Sequence, residues 1–453
     1  GGIMKDKELY KNILKISIPI AMQSLINVGV SMTDTMMLGK FGEITLSSAA
    51  LANQFCFMFL IINFGLGGGI GVLSGQFWGN KDIISINKVL SLLIKLSFSF
   101  GVLFLLLGQV FPYKIMSIYT NETEVINQGA QYLKIVSLSF ILQGISTTVN
   151  ILFRTVKTVK PALLVSFISF IINGFLNWVF IFGNLGMPSL GIKGAALSTL
   201  IARIFEFSFV CFYLLKLDKK ICFKLKYLFE FDKEIFNKYL KVGSPVLVSD
   251  IILGFGSNMV SVIMGQMGSD MVSANSISSV VLQFTNVFLM GVSNASGVII
   301  GNTIGEKEYE LTYFRAKIFL VLAIILGCFS SIVIFVLKHF IVDFYNVTES
   351  TKSIAYSLMN STSFLVIFMS VSSVLTKGVL RAGGDTKFLM IADVLFLWIV
   401  SIPLGYLAGI VYKLPYGIVL IALKFDEIIK STWCISRLFS KKWIKNVSTK
   451  SED

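Results

Sequence analysis

Charge is what this sequence has least of. Only 14% of its 453 residues are Asp, Glu, Lys or Arg, while 55% are hydrophobic and the mean hydropathy is +0.80. A soluble protein could not hide that much apolar surface, so the composition excludes a soluble globular domain and indicates a polytopic membrane protein. Histidine is almost missing. The single His339 lies near the end of an apolar run, so no Ser/His/Asp or Cys/His constellation can be built, no catalytic residue is assigned, and the chain is not read as an enzyme. The five cysteines (Cys56, Cys211, Cys222, Cys328, Cys434) are scattered without CxxC or CxxH spacing, which indicates neither a disulfide framework nor a cysteine metal site. No GxxxxGK[ST] loop occurs, so nothing suggests that ATP drives the protein and no cofactor is expected. The glycine runs at 65–71 and 291–301 sit inside apolar spans, where close helix packing and bending are their ordinary role. The first apolar run continues as a full span, so no cleavable leader is expected, and the opening Gly-Gly reads as a cloning remnant.

What is present is a series of twelve apolar segments, roughly 12–38, 45–77, 86–112, 124–153, 161–183, 192–216, 236–265, 271–303, 312–340, 350–380, 387–411 and 414–438. The net charge of +14 would point to nucleic acid in a soluble chain; here its placement sets membrane orientation instead. The N-terminus, the C-terminus and the loops after even-numbered spans hold 29 Lys and Arg, the loops after odd-numbered spans six. That asymmetry places both termini in the cytoplasm. The halves also repeat: LKISIPIAMQSLINVG at 14–29 matches LKVGSPVLVSDIILGF at 240–255, pairing Pro19 with Pro245. Gly71, Gly75 and Gly79 pair with Gly297, Gly301 and Gly305, and Arg154 with Arg381. The expected fold is all-α, with twelve transmembrane helices in two pseudo-symmetric six-helix bundles related by an axis along the membrane normal. An N-terminal lobe spans 10–216, a cytoplasmic linker 217–235 and a C-terminal lobe 236–440. Secondary transporters built this way bind between their repeats.

The polar residues inside these spans carry the functional signal. Asp34 stands in the first span between Thr33 and Thr35, and a charge in hydrocarbon costs at least a few kcal/mol. Either it lies beyond the helix end among headgroups, or it is held inside for a task. Asp34, Asn177 and Thr199 each fall about six residues from the outer ends of their spans, roughly 9 Å deep, with Asn173 one turn from Asn177. One carboxylate, two amides and a hydroxyl form an oxygen-rich set suited to Na⁺ at Asp34, and equally to a proton. A deeper layer, about 20 Å from the outer face, holds Glu206, Asp250, Asp426 and Glu427 as candidates for a second-lobe cation or substrate site. Arg203 near Glu206 and Lys424 near Glu427 offer local ion pairs at i,i+3, whereas Asp250 has no basic neighbour on its own helix face. Asp393, one or two turns into the eleventh span, is expected to face water.

The segments TDTMMLGKFG (33–42), SGQFWGNKD (74–82), LGIKGAALSTLIAR (190–203) and LRAGGDTKF (380–388) resemble the multidrug and toxic compound extrusion (MATE) transporter family, in its bacterial members. The resemblance covers about 10–440. It implies cation-coupled antiport, with H⁺ or Na⁺ entering as organic, often cationic, compounds leave. It also implies a cation site at Asp34, Asn173, Asn177 and Thr199. Some relatives carry aspartate where this chain has Asn177, which leaves the ion open. The tenth-span carboxylate of some branches is missing here, since 350–376 contain no Asp or Glu. RAGGDTK in the C half is degraded to RTVKTVK (154–160) in the N half and reads as a helix-connecting turn. Substrate is expected in a cavity walled by Phe, Met and amides, with Gln23, Asn27, Asn53, Gln54, Gln143, Gln283 and Asn286 as candidates. The expected partners are small organic cations or drugs and membrane lipid, with no nucleic acid; the chain is expected to be a monomer in the inner (plasma) membrane. A lipid-linked oligosaccharide flippase is the alternative. It would need a cationic cavity for pyrophosphate, and the Lys and Arg lie mainly at cytoplasmic ends. A scaffold or channel is disfavoured by the asymmetric buried acids and the lack of a repeated filter.

Overall fold

The computed structural model describes residues 2–449 apart from 346, and side chains from Lys7 onward except those of residues 43 and 269. Apolar runs this long can satisfy their backbone polar groups only by forming helices, and no strand occurs among the described residues. The spans are α1 (Gly2–Phe41), α2 (Glu43–Gly79), α3 (Ile83–Val110), α4 (Thr123–Thr155), α5 (Lys160–Phe182) and α6 (Ile192–Phe212), followed by α7 (Lys233–Gln266), α8 (Ser269–Gly305), α9 (Tyr309–Phe344), α10 (Glu349–Ala382) and α11 (Thr386–Val411). The twelfth, α12, runs as Tyr416–Leu423 and, after a break at Lys424, as Phe425–Ser440. Ten of these are long and apolar enough to cross a membrane by length and composition. The exceptions are α6 and α12, which carry Arg203 with Glu206 and Lys424, Asp426, Glu427 and Lys430 in their middles. The chain is an all-α membrane protein of twelve helices in two pseudo-symmetric six-helix bundles.

Contacts divide it into two compact units. One comprises Met22–Ser74 and Ile83–Asn237; the other takes the chain up to Ala21, Gly75–Asp82, and everything from Lys238 onward. The core of the first centres on Phe55, Phe59, Phe104 and Phe140, whose ring centroids lie 4.8 to 6.3 Å apart. That of the second is aliphatic, around Met264, Met271, Leu358, Met359 and Leu420. Side chains such as Phe329 and Phe340 on α9 stay exposed, as lipid-facing residues do. The segment read as a linker is bound to the first unit along α3. Asn87 donates to the Ile221 carbonyl at 2.8 Å, Ser91 to that of Tyr227 at 2.6 Å, and Lys88 pairs with Asp232 at 2.7 Å. Asp232 also accepts from the Ile235 amide at 3.1 Å, capping α7.

The repeat survives in backbone geometry. Lys81 and Lys307 both adopt positive φ (58° and 62°), and Lys157 takes the left-handed position that Gly384 (φ 81°) takes in the other half. Pro19 and Pro245 lie inside α1 and α7, each removing one backbone donor from its helix. Gly79 abuts the Asn302 carbonyl, while its counterpart Gly305 abuts that of Gln76, the counterpart of Asn302. Only glycine lets two backbones meet this closely. The Gln76 amide, fully buried, donates to the carbonyls of Ala382 and Lys445 (both 2.9 Å) and accepts from the Val447 amide at 2.7 Å. Asp385 of the RAGGDTK turn, 1% exposed, is held by Arg437 at 2.8 and 3.0 Å and by Lys445 at 3.0 Å. That turn anchors the C-terminal segment, which is why an acid is kept there.

Candidate cation site and charge clusters

In the first unit α1 brings Asp34 against α5. Thr35 turns its hydroxyl back to the Ser31 carbonyl (2.9 Å) and does not reach the carboxylate. Asn173 and Asn177 lie one turn apart, 4% and 0% exposed, and both donate through Nδ2 to the same oxygen, Asp34 Oδ1, at 3.0 and 2.5 Å. Their own carbonyl oxygens are buried with no hydrogen-bond partner among the described residues. Asp34 Oδ2 likewise accepts no hydrogen bond among them. Buried polar atoms are normally paired. A carboxylate gripped at one oxygen, with the other open and two amide carbonyls beside it, can accept a positive species. The donor set is all oxygen, which fits a hard cation such as Na⁺ as well as a proton.

Thr199, the hydroxyl expected to complete this set, makes no hydrogen bond among the described residues. One turn further along α6, Arg203 acts on Asp34 electrostatically and contacts both Glu206 oxygens at 3.0 and 2.8 Å. Ser169 on α5 donates to Glu206 at 2.7 Å. Glu206, grouped by depth with the second-lobe acids, therefore belongs with the first unit, and its charge is already balanced. Arg203 is the residue that sequence reasoning underrated. Its single signal was an arginine in mid-span facing away from any loop.

In the second unit two acids, Asp250 and Asp393, are paired with the protein's own cations. Asp250 on α7, which lacks a basic neighbour on its own helix, meets Arg381 from α10 at 3.4 Å. Arg154, the counterpart of Arg381, donates to Gln23 on α1 at 3.1 Å, so the same reach ends on an amide in one half and a carboxylate in the other. Asp393 does not face water, contrary to expectation. It is 4% exposed, paired with Lys430 of α12 at 2.8 Å and hydrogen-bonded by Ser249 of α7. Depth along one helix cannot reveal that neighbouring helices cover its end. Asp426 accepts from Ser401 of α11 at 3.0 Å, while the same hydroxyl accepts from the Asp426 amide at 2.5 Å. The i,i+3 pair expected between Lys424 and Glu427 does not form among the described residues. The helix breaks at Lys424 (φ −111°, ψ 18°), while the Glu427 amide still donates to the Lys424 carbonyl at 3.1 Å.

The candidate substrate residues are dispersed. Gln23 is engaged by Arg154, and Asn53 accepts from Tyr132 at 3.1 Å. Asn27, Gln54 and Gln283 are exposed and Gln143 half-buried. Asn286 lines a cavity inside the second unit, and Gln283 does not.

The profile of the MatE family matches residues 19–179 and 245–407, one stretch in each half. An uncharacterized transporter of Bacillus subtilis, YisQ, is 24% identical over 98% of this chain and 97% of its own. A probable multidrug resistance protein of the same organism, YoeA, is 23% identical over 90% and 88%. Among solved structures, a MATE protein in its bent conformation superposes with a TM-score of 0.86 at 17% identity, over 96% of both chains. With both repeats matched in order and nearly the whole length aligned, this chain belongs to the multidrug and toxic compound extrusion (MatE) family.

Proposed function

We propose that this chain is a multidrug efflux antiporter of the inner membrane, coupled to H⁺ or Na⁺ and working by alternating access, with both termini in the cytoplasm. The observation that carries this reading is Asp34, with Oδ1 held by Asn173 and Asn177 and Oδ2 open. Relatives bearing multidrug-resistance names support efflux as the direction. While Asp34 is charged, two amide donors tie α1 to α5. A proton or Na⁺ arriving at Oδ2 cancels the charge that strengthens those bonds, because hydrogen bonds to charged groups are worth roughly 1.5–3 kcal/mol against about 1 for neutral ones. The grip on α1 then loosens, and the charge balance with Arg203 shifts. This differential lets the ion bias one arrangement of the unit over another. The flippase alternative is not favoured, because the cavity of the second unit carries acids beside its lysines.

The test is dye efflux from vesicles under an imposed Na⁺ or pH gradient, one at a time. Asp34→Asn should insert normally and lose gradient-driven efflux under both gradients. Unimpaired efflux by that variant would sink the assignment.

A further inference from the structure

The segment between α6 and α7 runs along α3. Asn87, Ser91 and Lys95, spaced i, i+4 and i+8 on one face of α3, each donate to a backbone carbonyl of that segment: Ile221, Tyr227 and Glu230 in turn. Eight residues of helix amount to about 12 Å, so the segment follows α3 inward that far before Asp232 returns it to Lys88. Counting about 20 residues back from Gln109, the last polar residue of α3, sets the near edge of the hydrocarbon close to Leu90. Ser91 and Lys95 lie beyond that edge. Non-helical backbone at such depth is tolerated where the protein satisfies it, and these donors serve three of its carbonyls. The entry is fixed as well. The Asp218 carboxylate accepts from the amides of Lys220, Ile221 and Cys222 at 3.0 to 3.2 Å, and the side chains of Ile221 and Phe223 are buried. Past them three large apolar side chains turn outward: Leu225 at 54%, Phe231 at 65% and Phe229 at 90% exposed. Lys219, Lys224 and Lys226 are exposed too and make no ion pair among the described residues. Glu230, the acid between the two phenylalanines, lies within electrostatic reach of Lys88.

We propose that residues 217–235 form an interfacial anchor that binds the anionic phospholipid surface on their side of the membrane. Leu225, Phe229 and Phe231 enter the acyl boundary, where interfacial segments bury their apolar faces roughly 5–10 Å deep. Lys219, Lys224 and Lys226 extend to the headgroup phosphates, each adding attraction to an anionic leaflet. Lipid is the occupant that depth selects, because the exposed tip lies beside a span and not beyond its end. The first unit ends at Asn237, directly after the anchor, so the anchor ties that unit to the bilayer. This binding does not depend on what the chain transports.

Spin labelling of the full chain in vesicles tests it, with the exposed thiols Cys222 and Cys328 replaced by serine and the signal of that background subtracted. In vesicles of phosphatidylglycerol and phosphatidylcholine, a nitroxide on Phe229→Cys should be shielded from a water-soluble nickel chelate and open to oxygen. One on Lys442→Cys, an exposed position of the C-terminal segment, should show the reverse. In pure phosphatidylcholine the ratio of inserted to withdrawn tip should fall about 100-fold, the combined effect of three lysines at an anionic surface. Lys219→Gln, Lys224→Gln and Lys226→Gln together should remove that dependence, while arginine at the same three positions should keep it. Circular dichroism of the same vesicles reports that each variant is folded. A label at position 229 as open to nickel as the one at 442 would overturn the proposal. So would equal insertion with and without phosphatidylglycerol, or a lipid dependence that survives the triple glutamine variant.

Discussion

Replacing Lys430 by methionine breaks a buried ion pair whose cost can be worked out. The Lys430 amine and the Asp393 carboxylate lie 2.8 Å apart with side chains only 5% and 6% exposed, and Ser249 is the other group bonded to Asp393. Lys430→Met keeps the length and apolar stem of the side chain but leaves a carboxylate inside the bundle without its counter-charge. Breaking a buried pair from one side costs about 3–5 kcal/mol, whereas replacing both partners by apolar groups is often neutral or stabilising. The single variant should therefore unfold well below the parent, and Lys430→Met combined with Asp393→Leu should recover most of the loss. Thermal unfolding of the purified chain, followed through tryptophan fluorescence, supplies the measurement; Trp433 sits on the same helix as Lys430. The reasoning is refuted if the single variant stays within about 1 kcal/mol of the parent, the scatter of ordinary substitutions. It is equally refuted if the double variant is no more stable than the single.

Two further perturbations address the scaffold. A Cβ added at Gly305 would run into the Gln76 carbonyl and one at Gly79 into that of Asn302, backbone atoms that cannot rotate away. Each alanine should cost about 1–3 kcal/mol, while Gly174→Ala, which meets nothing within 4 Å, should be neutral; equal melting temperatures for Gly305→Ala and Gly174→Ala would contradict this. The hydrogen bond from Lys88 holds the Asp232 carboxyl below the usual carboxylate range. A lowered folded value means that the contribution is present above the unfolded value, about pH 4, and is lost as pH falls through the folded one. Asp232→Asn should therefore melt earlier than the parent at neutral pH, with the difference closing in acid. A gap that stays constant across pH would assign the effect to something other than this charge.

Much of the fold was legible because hydrocarbon imposes a simple rule: apolar length means helix, and matched prolines and glycines mean a repeated bundle. Twelve spans could be drawn without coordinates, including α6 and α12, the second of which the structure breaks at Lys424. Asp34 stood out because a single acid in a long apolar run is costly unless it lies among headgroups or has a task. The amides of α5 could be named beside it because two asparagines one turn apart share a face. Pairings made across helices were not legible in this way. The sequence around Asp250 gives no hint of Arg381, and the position of Asp393 near a span end suggested water until Lys430 and Ser249 were seen to cover it.

By itself, then, the order of residues determined that this chain lives in a membrane, that it folds as two related halves, and which acid is anomalous. Those are properties of single helices, set by local hydropathy and by a period of about 3.6 residues. Only the tertiary structure decided which acids are neutralised internally, that Asn173 and Asn177 converge on one oxygen of Asp34, and that Lys424 at the break in α12 lines a charged cavity. The reason is that electrostatic partners are chosen by distance in space, and residues more than a hundred positions apart become neighbours only when the bundle closes.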